Sequence, residues 1–295
     1  MQKFYFHVDD YGISPSVNNQ IIDLIIKDKI NSISIICNSD FYDHKIEYFK
    51  KLLKSKNIKT SCHVNLTEFK PRYIKISTLK LLIMSFFPFI FQKKTSELKK
   101  EIRKQIEIFI DNFHNPNEKV VYIDGHQHIH IFPYVLKEIK SFFEEKKINF
   151  EIRNPNENFF LFLKKKNLLR IINNYFSLLI VKFIFLFITK EDKKFISKTK
   201  FIGLIGSGVQ DEEIILKALK INTKKDGSIN LNDILVLFHP YKISEEDVNN
   251  CKMQNKLSNF LHLDFYSSNE RDIEINFFDK IDSMNSFLNL HLKQY

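Results

Sequence analysis

The sequence predicts a parallel α/β fold, a barrel or an open sheet, and three observations predict it. Six short runs of strand-like composition alternate with helical patterns, which is the signature of strand–helix repetition around a parallel sheet. Several of those runs end in an ionisable residue, as happens where strand C-termini open onto a common face. No internal repeat is visible, and 295 residues suit one large domain, so the whole chain 1–295 is read as a single unit.

Taken in order, the strand-like runs are KFYFHV (3–8), SISIIC (32–37), IKTSCHV (58–64), KVVYID (119–124), INFEIR (148–153) and DILVLFH (233–239). All are rich in β-branched and aromatic residues. After the first comes a helix candidate, SVNNQIIDLIIKDK, with Ser14 or Ser16 as its cap and Pro15 in its first turn. Two segments break the alternation. LKLLIMSFFPFIFQ (79–92) and FSLLIVKFIFLFIT (176–189) are almost wholly apolar, and they mark helical insertions near 79–92 and 158–200. Each falls short of the roughly 20 residues that span a bilayer, and Pro88 and Lys182 interrupt them. Burial in the core is the favoured reading, and a flap touching a membrane surface or a lipid-bearing substrate is the other.

Composition narrows the function classes. Hydrophobic (44%) and charged (27%) fractions are those of a globular protein, and the 30 phenylalanines with no tryptophan are what an A+T-rich genome would produce. The formal charge of +10 comes from scattered lysine pairs and not from one basic tract, so nucleic acid is not an expected partner. Three widely spaced cysteines (Cys37, Cys62, Cys251) argue against a disulfide scaffold. With a start of MQKFYFHVDDYG, which has no leader pattern, they point to the cytoplasm.

The strand ends carry the chemistry. Asp9 and Asp10 close the first run, His63 the third, Asp124 the fourth, and His239 the last. Residues 124–130 read DGHQHIH, with histidine at every second position. A regular strand would put His126, His128 and His130 on one side, whereas a strand ending at Gly125 would leave the later two in a loop. One aspartate with two histidines is the donor type of a catalytic divalent site with open positions. Zinc is the best electronic match, and magnesium or manganese is compatible with the oxygen ligand.

These pieces resemble one family. VDDYGISPSVN, HVNLTE, DGHQHIHIFP, RNPNE, FIGLIGSG, FHP and SSNERDIEI match, in order and along almost the whole chain, the motifs of the YdjC-like carbohydrate deacetylases. The resemblance implies a (β/α) barrel, complete or seven-stranded and TIM-like, related to the polysaccharide deacetylase fold. It also implies removal of the N-acetyl group from an N-acetylated, GlcNAc-type saccharide with release of acetate. Carried over by position, one divalent ion, Mg or Zn, is held by Asp10, His63 and His126. Asp9 becomes the general base and His239 the general acid or its orienter. Arg153 and Glu157 fall in the substrate-cleft motif. From the residues themselves, His128 or His130 is expected to hold a ligand or Asp124 by hydrogen bond, with His128 and Asp124 as the supporting pair. Three departures from the family pattern are His7 in the first strand, Tyr11 for the usual phenylalanine, and FHPYK, which lacks a small residue after the proline.

Three rival readings stand beside this one. They are a metal phosphoesterase, an amidohydrolase with the same ligands, and a non-catalytic basic protein at a membrane surface. The expected partners are the saccharide, lipid-linked or free, the inner membrane face by peripheral contact, and a second copy of the chain in a homodimer.

Overall fold

The computed structural model describes residues 3–43, 45–68, 73–115, 117–159, 167–222, 233–253 and 266–292. Seven parallel strands form one sheet: β1 (Phe4–Tyr11), β2 (Ser32–Ile35), β3 (Lys59–Val64), β4 (Val121–Gly125), β5 (Phe150–Ile152), β6 (Lys200–Ile202) and β7 (Ile234–Phe238). Their lateral order is β5-β4-β3-β2-β1-β7-β6. Read as a ring, that is chain order, with one gap between β5 and β6. At the gap a single parallel bridge joins Ile152 to Ile196, and the Ser197 N–H donates to the Ile152 carbonyl at 2.7 Å. The sheet is therefore curled and barrel-like, and its seven strands match the smaller of the two barrels expected. Six strands were legible in the sequence. β6 was not, because three residues are too few to show an alternation.

The inward and outward faces differ in a way the sequence encodes. Inward positions of the first four strands hold His7 and Asp9, Ser32 and Ser34, Ser61 and His63, and Asp124, all buried and polar. The intervening positions hold Phe6, Val8, Ile33, Ile35, Cys62, Val64 and Ile123, which pack into the hydrophobic core. A period of two thus sorts a polar interior from an apolar exterior sealed by helices.

The helices are α1 (Pro15–Ile26), α2 (Ile46–Ser55), α3 (Thr78–Phe86), α4 (Gln92–Phe113), α5 (Pro133–Lys146), α6 (Leu168–Phe185), α7 (Glu212–Asn222), α8 (Glu245–Met253), α9 (Arg271–Lys280) and α10 (Met284–Leu292). Ser14 caps α1, accepting from the Val17 N–H, and Pro15 takes the first helical position. The turn into α1 requires Gly12. Its φ is +102°, and an added Cβ would lie 2.5 Å from the Ile36 carbonyl oxygen. Its N–H also donates to the Asn18 side chain at 2.6 Å, so the glycine and asparagine of VDDYGISPSVN build one turn together.

The two apolar insertions are not fully buried. α6 buries one stripe, Ile171, Asn174, Leu178, Val181 and Ile184, against the body. Its opposite stripe is exposed, and so are Leu79, Ile83, Phe89 and Ile90 around α3. The expectation of two core helices therefore holds on one face of each. α6 is long and apolar enough to cross a membrane by length and composition alone, with only 28% of it buried.

Candidate metal centre

β1 ends in a bulge that decides the site. Between Val8 and Tyr11 its register slips against β2, and Asp10 takes φ +74°, a left-handed conformation unusual outside glycine. A regular strand would send Asp9 and Asp10 to opposite faces. Here both carboxylates face His63, whose Nε2 lies 3.2 Å from Asp10 Oδ1 and 4.0 Å from Asp9 Oδ2. Backbone strain of this kind costs roughly 1–3 kcal/mol and persists where surrounding bonds impose it.

Asp10, His63 and His126 come together as the sequence implied. Their ligand atoms all lie within 4.8 Å of one another, and all three residues are buried. His126 Nδ1 stands 3.1 Å from the same Asp10 oxygen that faces His63. The outward nitrogens are engaged elsewhere: His63 Nδ1 bonds Asp124 Oδ1 at 2.6 Å, and the Tyr266 hydroxyl reaches His126 Nε2 at 3.3 Å. Each imidazole thus presents one fixed nitrogen to one carboxylate, an arrangement that fits a divalent cation. Asp10 Oδ2 accepts from the Tyr241 hydroxyl at 2.7 Å. Burial alone would raise the Asp10 pKa, but His126 and His63 outweigh it and hold the carboxyl well below the usual range.

Behind these residues lies a second buried cluster. Arg153 grips Asp9 with both terminal nitrogens, at 2.7 and 3.0 Å, and stands 3.2 Å from Asp124. Asp9 Oδ1 also accepts from Ser34 at 2.7 Å and meets His7 Nε2 at 2.9 Å, while the far nitrogen of His7 meets Ser32 Oγ at 2.7 Å. Ser61 donates to Asp124 Oδ2 at 2.7 Å. Burial opposes ionisation of Asp9, but Arg153 and His63 overcome it, so the carboxyl sits well below its ordinary pKa. His7, Asp9 and Asp124 could themselves hold a cation by proximity alone. Arg153 already supplies the positive charge there.

His239 follows β7, with its backbone clamped by α9. Glu274 accepts from its N–H, and Arg271 donates to its carbonyl at 3.3 Å. Burial first, and then Arg271, push its pKa down to about 3, so the imidazole is neutral near pH 7. The closing motif SSNERDIEI thus acts on the last strand end through Arg271 and Glu274.

Other expected site residues sit differently from their assignments. β4 stops at Gly125, and residues His126–Ile131 form a 3₁₀ turn broken by left-handed Gln127 and His128. The three histidines therefore do not share a strand face. His126 joins Asp10 and His63, and His130 Nε2 meets the Arg153 carbonyl at 3.0 Å. His128 packs edge-on against Phe201, and its described contacts include neither a ligand nor Asp124. His130 likewise bonds neither a candidate ligand nor Asp124; its hydrogen bond is to the Arg153 backbone. Glu157 accepts from the Gly203, Leu204 and Ile205 N–H groups at 3.2, 2.8 and 2.8 Å, so both its oxygens hold the loop after β6. Burial raises its pKa to about 7 even against those bonds. Arg153 and Glu157 thus direct their charged groups at protein partners and not into an open cleft. Sequence reasoning missed Ser34, Ser61, Tyr266 and Arg271 as site residues. Period-2 alternation in β2 and β3 would have found the serines, whereas Tyr266 has no local signal. Tyr241 and His7, seen only as departures from the family pattern, turn out to bond Asp10 and Asp9.

A curled, barrel-like parallel sheet with a buried Asp-His-His cluster at its strand ends belongs to the class of α/β folds whose strand C-termini gather polar groups on one face. Residues 3–280 match the family model described as "YdjC-like protein", and the chain belongs to that family, a group related to carbohydrate deacetylases. Among solved structures, a "putative cellobiose-phosphate cleavage protein" from Enterococcus faecalis V583 aligns over 94% of this chain and 95% of its own. The TM-score is 0.54 at 15% identity, a likeness of fold. A D-tagatose 3-epimerase-like protein aligns over 85% of this chain and 96% of its own at 14% identity, with a TM-score of 0.37, too low to bear on the fold. No curated protein matches the sequence.

Proposed function

We propose that the protein is a metal-dependent hydrolase that removes the N-acetyl group from an N-acetylated sugar. One observation carries this reading: His63 Nε2 and His126 Nδ1 converge on one oxygen of Asp10, with Asp9 beside them. A divalent ion, zinc or magnesium, held by Asp10, His63 and His126 would supply Lewis acidity, lowering the pKa of a bound water and polarising the acetyl carbonyl. The relation of the barrel to the polysaccharide deacetylase fold is part of the same proposal.

The chain's own groups divide the remaining work. Asp9 is kept ionised by Arg153 and accepts the proton of the attacking water. His7 and Ser34 hold the acceptor in place, so its orientation is fixed before substrate arrives. Water adds to the acetyl carbon, the C–N bond breaks, and acetate and a free amine result. His239 delivers the proton to the departing nitrogen. Neutral in the resting protein, it takes that proton from solvent during the cycle, and Asp9 returns the water's proton to solvent, so both groups end as they began.

The test is acetate release from a panel of N-acetyl sugars, free and lipid-linked, with metal content measured on the same sample. Asp9→Asn is expected to abolish turnover while leaving the metal bound. A sample that binds no divalent ion, or that releases phosphate instead of acetate from a matched panel, overturns the reading.

A further inference from the structure

Exposed large hydrophobic side chains are not spread evenly over this molecule. Along α6 they form a stripe, Leu169, Ile172, Phe176, Leu179 and Phe183. Its 3-4 spacing is that of a helix face left outside a core. Around α3 and the turn Pro88–Phe91 stand Ile83, Phe89 (68% exposed) and Ile90. The two sets form one surface, since the Phe86 ring meets Phe183 at 6.4 Å and Phe187 at 5.0 Å. Monomeric soluble proteins rarely expose contiguous apolar patches beyond a few hundred Å² without a partner for them.

Charge identifies the partner. Segments 75–94 and 167–190 carry seven basic residues and no aspartate or glutamate. Arg170 pairs with Glu270, and Lys182 turns inward onto Asn156, but Lys80 and Lys93 stand exposed on the α3 side and Lys190 stands exposed beyond α6. Lys80 depresses the ammonium of its neighbour Lys94, with Glu97 opposing it. Two like charges crowded at the edge of a greasy face are relieved by an anionic phosphate. A second copy of this chain would instead bring an equal cationic rim against the first.

We propose that the α3–α6 face docks on an anionic phospholipid surface, its aromatic and aliphatic side chains entering the acyl boundary and its lysines meeting headgroup phosphates. Both helices touch the His126–Ile131 turn, and the Thr78 hydroxyl bonds Gln127 within it. Docking therefore sets the strand C-terminal face, and the metal centre with it, beside the bilayer.

The absence of tryptophan makes the test clean. In the full chain, Phe89→Trp and Phe176→Trp each install a sole tryptophan, excited selectively over the 11 tyrosines. On vesicles of phosphatidylcholine with phosphatidylglycerol, both emissions are expected to shift blue and to be quenched by brominated acyl chains. Tyr48→Trp, at an exposed site on α2, is expected to do neither. Lys93→Gln with Lys94→Gln is expected to weaken binding to those vesicles about 30-fold. No shift at Phe89→Trp or Phe176→Trp overturns the proposal. Equal binding to pure phosphatidylcholine also overturns it, as does a solution dimer that Phe176→Glu splits into monomers, which would assign the face to a second copy. None of these readouts requires turnover, so this proposal and the deacetylase reading fail separately.

Discussion

The buried cluster at the strand ends and the apolar flank around α6 follow opposite rules. At the strand ends, ionisable groups sit out of water, and each described charge meets an opposite one: Asp9 with Arg153, Asp124 with Arg153 and His63, Asp10 with His63 and His126. On the flank, large apolar groups sit in water, beside segments whose own charges are all basic and whose nearest carboxylates, Glu97, Glu191 and Glu270, lie just outside them. Both placements cost free energy in the isolated chain. The cost inside is offset by neighbours already folded into place, whereas the cost outside waits for a partner. A change inside should therefore alter stability, and a change on the flank should alter only binding.

The largest effect is expected at Arg153. Removing it with Arg153→Met leaves Asp9 and Asp124 buried without their common cation. Breaking such a pair from one side typically costs about 3–5 kcal/mol. Urea denaturation monitored by circular dichroism should show a loss of that size. A change below about 1 kcal/mol would show that water already reaches these carboxylates, and would erase the contrast with the flank.

Next comes Asp124→Asn, which weakens the partner of His63 Nδ1. Losing a carboxylate that orients a metal-bound imidazole typically costs about 10–100-fold in metal affinity. Titration calorimetry with zinc measures it, and an unchanged affinity would mean that His63 is not a ligand.

Why these two regions differed in legibility follows from their physics. At the strand ends each polar atom needs a partner of fixed type, so Asp10, His63, His126 and Asp124 stand in short, ordered motifs that a single sequence displays. The bulge at Asp10 was not legible, because φ +74° at an aspartate comes from tertiary bonds to Tyr241 and the histidines and not from a local turn signal. The turn after Gly125 was half legible: the glycine marks a break, but nothing local forces left-handed Gln127 and His128. On the flank, apolarity of 79–92 and 176–189 was plain, yet composition cannot say which face of a helix is covered. That depends on where the curled sheet leaves room.

The pH dependence of Glu157 gives a smaller effect with a definite sign. Its folded pKa of about 7 lies above the ordinary 4.5, so between those values the folded state binds more protons than the unfolded. Stability from this group is therefore fully present below about pH 4.5 and falls as pH rises toward 7. Three backbone N–H donors favour the ionised form and limit the fall. Glu157→Gln, neutral throughout, should flatten the slope in denaturation curves taken across that window. A steeper slope in the variant would reverse the assignment of burial as the dominant cause.

The smallest effect is expected on the flank, where the comparison can be broken most directly. Phe176 is 64% exposed, so Phe176→Glu removes little buried area and adds a charge that water solvates fully. Surface changes of that kind stay within about 0.5 kcal/mol of wild type. Thermal and urea unfolding should barely move, while loss from anionic vesicles is pronounced. If Phe176→Glu destabilised the chain as Arg153→Met does, α6 would be core by energetics whatever its exposure. The greasy stripe would then have a partner within the folded chain, and the division between an inside already satisfied and an outside still waiting would collapse.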